Sequence, residues 1–329
     1  MKATAISPAK TILFGEHFVV NGNTAISMAI DLPTKVQVET ELDDEITVTS
    51  HNLALDATFK GESGELVNAT GENAEATLRP VFEAAKFTLS KYGAKTGLRI
   101  TVTSKVPIGM GLGSSAATAV ATVSSISAVL KKAISRQETF EAAYSLEKII
   151  HGRPSGVDQA TVTFGGLITF RNGSVESHMN PTKPPILIIG NTGKRRSTGE
   201  LVSKVTELRQ SDPKRYDQIS SDAQQIATRA IIALKTGDSH EVGKLMNRNQ
   251  ELLELVGVSS PELQKLILVA RASGALGAKL TGGGGGGCMI ALTANREPNV
   301  VEAIRKAGGE VLLGTFMPDG VRIFFDEER

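Results

Sequence analysis

Three glycines at alternate positions, Gly109, Gly111 and Gly113, run directly into two serines in the stretch Pro107-Ile108-Gly109-Met110-Gly111-Leu112-Gly113-Ser114-Ser115-Ala116-Ala117. The chemistry open to such a stretch is anion binding. Glycine lets the backbone approach a phosphate with no side chain in the way and with φ of either sign. If a helix begins at Ser114, its first amides lack internal partners and its dipole favours negative charge there. Two hydroxyls at the mouth add donors, or an oxygen ligand for Mg²⁺. The plainer reading is a flexible loop with Ser114 as a helix cap, but capping needs one serine and no glycines. The spacing is not Gly-x-x-x-x-Gly-Lys-Ser/Thr, nor Gly-x-Gly-x-x-Gly with an acidic residue about twenty positions on. A Walker loop is excluded and a dinucleotide fold is disfavoured.

Lys10, Glu16 and His17 form a second set. Lys10 sits in an apolar run, and Ile12-Leu13-Phe14 is broken by Gly15-Glu16-His17 before Phe18-Val19-Val20 resumes it. A buried strand interrupted by a glycine and two ionisable groups is a local inconsistency, and such places are often functional. A lysine in such a strand is rarely left unpaired. A third set is Lys279-Leu280-Thr281 with the six consecutive glycines 282–287. A linker would be exposed and would separate domains, whereas this run lies between a helical stretch and an apolar strand. Ordering six glycines is entropically expensive, so a ligand or close packing must offset it. Two readings stay open: a second phosphate-side loop, or a loop that lets two domains approach closely. Cys288, at the start of the apolar strand, reads as packing, with no histidine base in its segment.

Positioning these residues takes both strands and helices. Residues 98–103 alternate as a strand ahead of the glycine loop, and 116–130, small and apolar, read as a helix behind it. Residues 34–42 and 45–50 alternate as strands about an Asp43-Asp44 turn. Spacing predicts a helix over 75–92, ending at Gly93, and another to about 150 behind the capping box Ser135-Arg136-Gln137-Glu138. Glu147 then falls in a last turn, where the carbonyls favour cations, so it needs something positive. A polar stretch over 172–185 with three prolines marks a boundary, dividing the chain into 1–175 and 176–329. Beyond it the pattern predicts a strand over 186–190 and helices over 197–209, 213–234, 241–255 and 261–273, two of them capped by Asp212 and Ser260. A strand over 288–292 and a helix over 299–307 follow. Two final strands, 310–315 and 321–325, are joined by the turn Pro318-Asp319-Gly320.

Composition narrows the partners. The 329 residues suit about two domains. With 36 basic and 35 acidic residues, 4% aromatics and no tryptophan, there is no electrostatic footprint and there are few stacking platforms for nucleic acid. A single cysteine excludes an internal disulfide and any Cys-rich zinc site. No apolar run approaches the ~18 residues of a membrane span. Ser7, Pro8, Lys10 and Glu16 interrupt any signal-peptide core. A cytoplasmic protein is expected.

Three stretches in this order and separation resemble one family, the GHMP small-molecule kinases: Pro-Ala-Lys-Thr-Ile-Leu-Phe-Gly-Glu-His (8–17), Pro-x-x-x-Gly-Leu-Gly-Ser-Ser-Ala (107–116), and Lys-Leu-Thr-Gly with its glycines (279–287). The resemblance spans essentially the whole chain. Within the family, Gly-Glu-His-Phe-Val-Val-Asn-Gly (15–22) and His-Gly-Arg-Pro-Ser-Gly-Val-Asp (151–158) are similar to the mevalonate kinases. Galactokinases carry Gly-Glu-His in another setting, and homoserine kinases lack it. One departure is that many relatives have alanine where this chain has Gly283.

The resemblance implies a two-domain α/β (α+β) fold, an N-terminal domain like the second domain of ribosomal S5 against a ferredoxin-like C-terminal domain, with the site in the cleft. It implies transfer of the ATP γ-phosphoryl group to the C5 hydroxyl of (R)-mevalonate, an early step toward isoprenoids. The expected partners are ATP, Mg²⁺ and mevalonate, with no nucleic acid and no membrane; a homodimer is compatible with the reading. Pro107, Gly109, Met110, Gly111, Leu112, Gly113, Ser114, Ser115 and Ala116 are expected to bind the nucleotide, and Ser115 and Glu147 the metal. Asp158 matches the family's base. Ser155-x-x-Asp158 also reads as a capping box, and Lys10 decides between the two, since a Lys10–Asp158 pair would hold the carboxylate in its charged form. Glu16, His17, Arg196 and Thr198 are expected at the substrate, with Arg153 as a further candidate.

Overall fold

The computed structural model describes residues 1–107, 109–151, 154–194, 198–295 and 297–325, and of residues 150, 151, 198–200 and 202 only the backbone. Two sheets organise the described residues. The first is built from β1 (Lys2–Phe14), β2 (Ala25–Glu41), β3 (Glu45–Ser50), β4 (Leu55–Lys60), β5 (Leu66–Thr70) and, after helix α1 (Ala74–Tyr92), β6 (Gly97–Ser104). Helices α2 (Ser114–Val129), α3 (Arg136–His151) and α4 (Val157–Phe164) follow, then β7 (Leu167–Arg171) and β8 (Ser174–Met179). The second sheet begins with β9 (Ile186–Asn191). Helices α5 (Thr198–Ser211), α6 (Pro213–Thr236), α7 (Ser239–Leu255) and α8 (Pro261–Ala272) lead to β10 (Gly277–Leu280) and β11 (Cys288–Thr293). Helix α9 (Pro298–Lys306) and β12 (Glu310–Gly314) follow, and β13 (Arg322–Phe325) returns to the first sheet.

Strand order in the first sheet is β13-β1-β2-β6-β3-β4-β5, with β7 and β8 added beside the first half of β2. Only β3 and β6 run parallel there. The second sheet, β10-β11-β9-β12, is antiparallel throughout. Among the described residues, no helix is long and apolar enough to cross a membrane.

Helix α2 is buried along most of its length, because alanine, serine and valine are small enough to pack between the first sheet and α1, α3 and α4. Its hydroxyls satisfy themselves: Thr122, Ser125 and Ser127 donate to the carbonyls of Thr118, Ala121 and Val123 at 2.7–2.8 Å. The predicted caps are in place. Glu138 accepts from the Ser135 amide while Ser135 Oγ accepts from the Glu138 amide. Asp212 and Ser260 cap α6 and α8, each followed by proline.

At three places the structure adds to or departs from what the sequence suggests. Residues 18–20 do not resume the strand: Gly15 takes φ +94° against the backbone of Thr24 and Ala25, His17 takes φ +60°, and the chain turns into a 3-10 helix at Val19–Asn21. The last two strands are not a hairpin. Residues 317–321 cross to the first sheet, held by Gly166 N to Met317 O (2.9 Å) and Val321 N to Thr163 O (3.2 Å), and β13 then pairs with β1. The boundary expected after residue 175 falls inside β8, which pairs with β7, so the first sheet takes both β8 and the chain's last strand.

Candidate active site

Strand β1 carries Lys10 past the glycine loop. The Lys10 amide donates to the Leu112 carbonyl at 2.9 Å, and the side-chain methylenes run beside Gly113, where an added Cβ would lie 2.7 Å from Lys10 Cγ. Gly113 also takes φ +80° at the N-cap of α2, so both the space and the backbone demand glycine. Having no side chain, it cannot cap the helix, and the first turn of α2 holds no acidic residue. The amides there face outward with the positive end of the helix, an arrangement suited to phosphate oxygens. Gly109 and Gly111 both take φ +77°, and a Cβ at Gly109 would meet nothing within 4 Å. Leu112 and Ala116 are buried and anchor the loop, while Pro107, Met110 and Ser114 are half-buried and Ser115 is exposed.

The Lys10 ammonium is 2% exposed and lies 2.7 Å from Asp158 Oδ1. Asp158 is in the first turn of α4, where the helix dipole favours a carboxylate. The N-cap of α4 is Gly156, with no side-chain cap, so the Ser155-x-x-Asp158 capping box does not form. Gly156 takes φ +88°, with Phe170 and Tyr144 each 3.1 Å from where its Cβ would sit, and Tyr144 OH donates to the Pro154 carbonyl at 3.3 Å. These contacts fix the approach to α4, and with it the aim of Asp158.

Ser115 and Glu147 lie on α2 and α3, which pack together. A hydroxyl and a half-buried carboxylate are hard oxygen donors. Among the described residues, no group of three or more His, Cys, Asp or Glu could hold a metal ion by itself. Oxygen donors of this kind are the ones Mg²⁺ takes when phosphate and water complete its shell.

Glu16, expected at the substrate, is held in a buried ion pair. Its carboxylate is 1% exposed and pairs with Lys279, itself fully buried on β10; Lys279 Nζ also donates to the Leu280 carbonyl at 2.7 Å. Among the described residues, Glu16 Oε2 has no hydrogen-bond partner. Burial pushes the Glu16 carboxyl above the usual carboxylate range against the opposing pull of Lys279, and burial holds the Lys279 ammonium below the usual lysine range. Next to it, His17 Nε2 meets the Gly283 carbonyl at 2.9 Å. Arg196 and Arg153 lie outside the described residues. Thr198 opens α5, with its side chain also outside them.

The second glycine run is packed. Gly284 takes φ +74° with its Cβ position 2.1 Å from the Val258 carbonyl oxygen, and Gly285 places its own 2.5 Å from Leu201 Cδ1. At Gly287 an added Cβ would sit 3.1 Å from the Met110 carbonyl oxygen, so this run abuts the first glycine loop. Thr281 ties the run to β1: its hydroxyl accepts from the Ile12 amide at 3.0 Å and lies 3.1 Å from Thr11 Oγ1. Lys279 and Thr281 were read only as the lead-in to the glycines, with no role of their own. The signal for Lys279 was the same as for Lys10, a lysine inside an apolar strand, but the glycines beside it drew the reading toward phosphate.

Comparison with known proteins follows these features. The model of the GHMP kinases N terminal domain matches residues 79–166, and that of the GHMP kinases C terminal domain matches 230–310. The mevalonate kinase of Pyrococcus furiosus is 38% identical over 332 residues, 98% of each chain. The crystal structure of the Methanococcus jannaschii mevalonate kinase superposes with a TM-score of 0.84 at 30% identity, covering 95% of this chain and 98% of that one. That of L. major mevalonate kinase in complex with R-mevalonate has a TM-score of 0.79 at 27% identity, covering 94% and 95%. With its two glycine loops, its Lys10–Asp158 pair and relatives matched from end to end, this chain belongs to the GHMP kinases and, within them, to the mevalonate kinase family.

Proposed function

We propose that this chain transfers the γ-phosphoryl group of ATP to the C5 hydroxyl of (R)-mevalonate, giving 5-phosphomevalonate. The observation that carries the chemistry is the Lys10–Asp158 pair, 2.7 Å apart and reached by β1 alongside the glycine loop. Its substrate comes from the family: a relative matched over almost its full length was crystallised with R-mevalonate.

A primary alcohol is a weak nucleophile, and phosphoryl transfer is catalysed mainly by alignment and by charge at the transferring oxygens. In this reading the backbone of 109–114 cradles the phosphates. Asp158 accepts the C5 hydroxyl proton as the oxygen attacks phosphorus. Lys10 keeps that carboxylate in place and puts a positive charge beside the reacting oxygens. Ser115 and Glu147 would hold Mg²⁺, which neutralises charge on the phosphates when bound. His17, with Arg196 and Thr198, is assigned to the carboxylate and hydroxyl end of mevalonate.

The test is a coupled assay on the purified protein with ATP and equal concentrations of mevalonate, galactose and homoserine. Mevalonate should be turned over fastest; faster turnover of either other compound overturns the substrate. Asp158→Asn should lower kcat by about 10²–10⁴ with ATP affinity retained. A folded Asn variant with wild-type kcat would remove Asp158 from the mechanism.

A further inference from the structure

Residues 18–24 follow His17 directly, so whatever holds them sets where the 15–17 turn points. They are held by one face of α6. Tyr216, Ser220 and Gln224 are spaced four apart and so line up along the helix. Asn21 Nδ2 donates to Tyr216 OH at 2.5 Å, Asn23 Nδ2 donates to the Ser220 carbonyl at 2.7 Å, and the Thr24 amide donates to Gln224 Oε1 at 2.8 Å. Phe18 is fully buried against the Tyr216 ring, with centroids 6.4 Å apart.

Asn21 has a second contact that leads elsewhere. Its Oδ1 accepts from Arg209 Nη1 at 2.6 Å, and Arg209 is in the last turn of α5. Arginine can only donate, which fixes the amide: oxygen toward Arg209, nitrogen toward the tyrosine hydroxyl. One side chain thus joins the turn carrying His17, the helix that begins at Thr198, and α6. Burial pushes the Tyr216 hydroxyl up, so it stays protonated and can donate as well as accept.

We propose that Asn21 is a positioning residue for the substrate end of the site, because it bridges Arg209 in the last turn of α5 and Tyr216 of α6 and so ties the 15–17 turn to both helices. The proposal rests on the mevalonate reading given above. It concerns affinity for the acceptor and leaves the nucleotide loop untouched.

Four variants test it beside the wild type: Asn21→Leu, Asn21→Asp, Arg209→Met, and the double variant Asn21→Leu/Arg209→Met. Asn21→Leu removes both contacts and should raise KM for mevalonate about tenfold, with KM for ATP within about twofold. Asn21→Asp keeps an acceptor for Arg209 and lets Tyr216 turn to donate, so it should restore most of the loss. Arg209→Met, on an exposed side chain, should cost about threefold, and the double variant should be no worse than Asn21→Leu alone, since Arg209 acts through Asn21. An unchanged KM for mevalonate, an equal rise in both KM values, an Asp variant as poor as Leu, or fully additive losses would each overturn the proposal. If thermal melts show Asn21→Leu unfolded, Arg209→Met carries the same KM comparison. A wild type that fails to phosphorylate mevalonate sinks the substrate reading instead; a normal wild type with unmoved variants sinks this inference alone.

Discussion

The two glycine loops are alike in composition and opposite in surroundings. In the first, Gly109 takes a left-handed φ with nothing within 4 Å of where a Cβ would be. In the second, Gly284, Gly285 and Gly286 take positive φ with protein atoms 2.1–2.8 Å from theirs. The first loop keeps its space open at Gly109, while Gly113 at its end packs on Lys10. The second fills its space with Val258, Leu201 and Lys194, and at Gly287 it braces the first loop at Met110. Glycine therefore leaves open space at Gly109 and permits close approach at Gly284, Gly285 and Gly286. Of the two readings left open for the six glycines, the contacts favour close approach.

The largest effect should come from the anchor of the packed loop. Lys279 ends in the buried pair with Glu16, three residues before the glycines begin. Glu16→Gln would leave a buried ammonium without its counter-charge and should destabilise the protein by about 3–5 kcal/mol in urea unfolding. Pairing it with Lys279→Met should recover much of that loss, since burial disfavours both charges. If Glu16→Gln instead leaves stability intact and raises KM for the acceptor, Glu16 returns to the substrate and the anchor is elsewhere.

Gly284→Ala comes next. A Cβ 2.1 Å from the Val258 carbonyl must displace backbone that also accepts from the Gly285 amide at 2.8 Å. Overpacking and the left-handed φ together should cost about 2–4 kcal/mol. A loss under about 1 kcal/mol would break the contrast between the loops. Gly109→Ala should cost only the conformational part, about 1–2 kcal/mol, while raising KM for ATP more than KM for mevalonate. Equal changes in the two KM values would argue that the first loop is also structural.

These contrasts explain what could be read from the chain alone. Lys10 was legible because one residue in an apolar strand demanded a partner, and the family pattern supplied Asp158; the 2.7 Å contact joins them. The caps at Ser135, Asp212 and Ser260 were legible because the partners are three residues apart. The partner of Glu16 was not legible because it is 263 residues away, in a strand whose lysine was read as part of a phosphate motif. The strands over 310–315 and 321–325, read as joined by a turn, lie in different sheets for a similar reason. A Pro-Asp-Gly turn signals a reversal, but here Gly320 packs on Thr163 and the chain crosses to another sheet. Both glycine loops demand positive φ, so composition cannot say which faces a ligand; only the neighbouring atoms distinguish them.

The smallest expected effect is the sharpest check on that last point. Gly283 lies between Gly282 (φ +73°) and Gly284 (φ +74°), yet it alone of the six glycines does not take positive φ. It contributes its carbonyl, which His17 Nε2 meets at 2.9 Å, and a carbonyl is present whatever the side chain. Gly283→Ala should therefore keep the loop's shape and, by restricting the unfolded chain, leave stability unchanged or raise it by up to about 1 kcal/mol. Both KM values should stay within about twofold. The measurement is a urea midpoint together with the two KM values, set beside Gly284→Ala one residue on. Similar losses in the two variants would mean that the loop resists any Cβ by crowding. A neutral Gly283→Ala beside a crippled Gly284→Ala would show that backbone conformation and the adjoining carbonyl, residue by residue, decide where the run must be glycine.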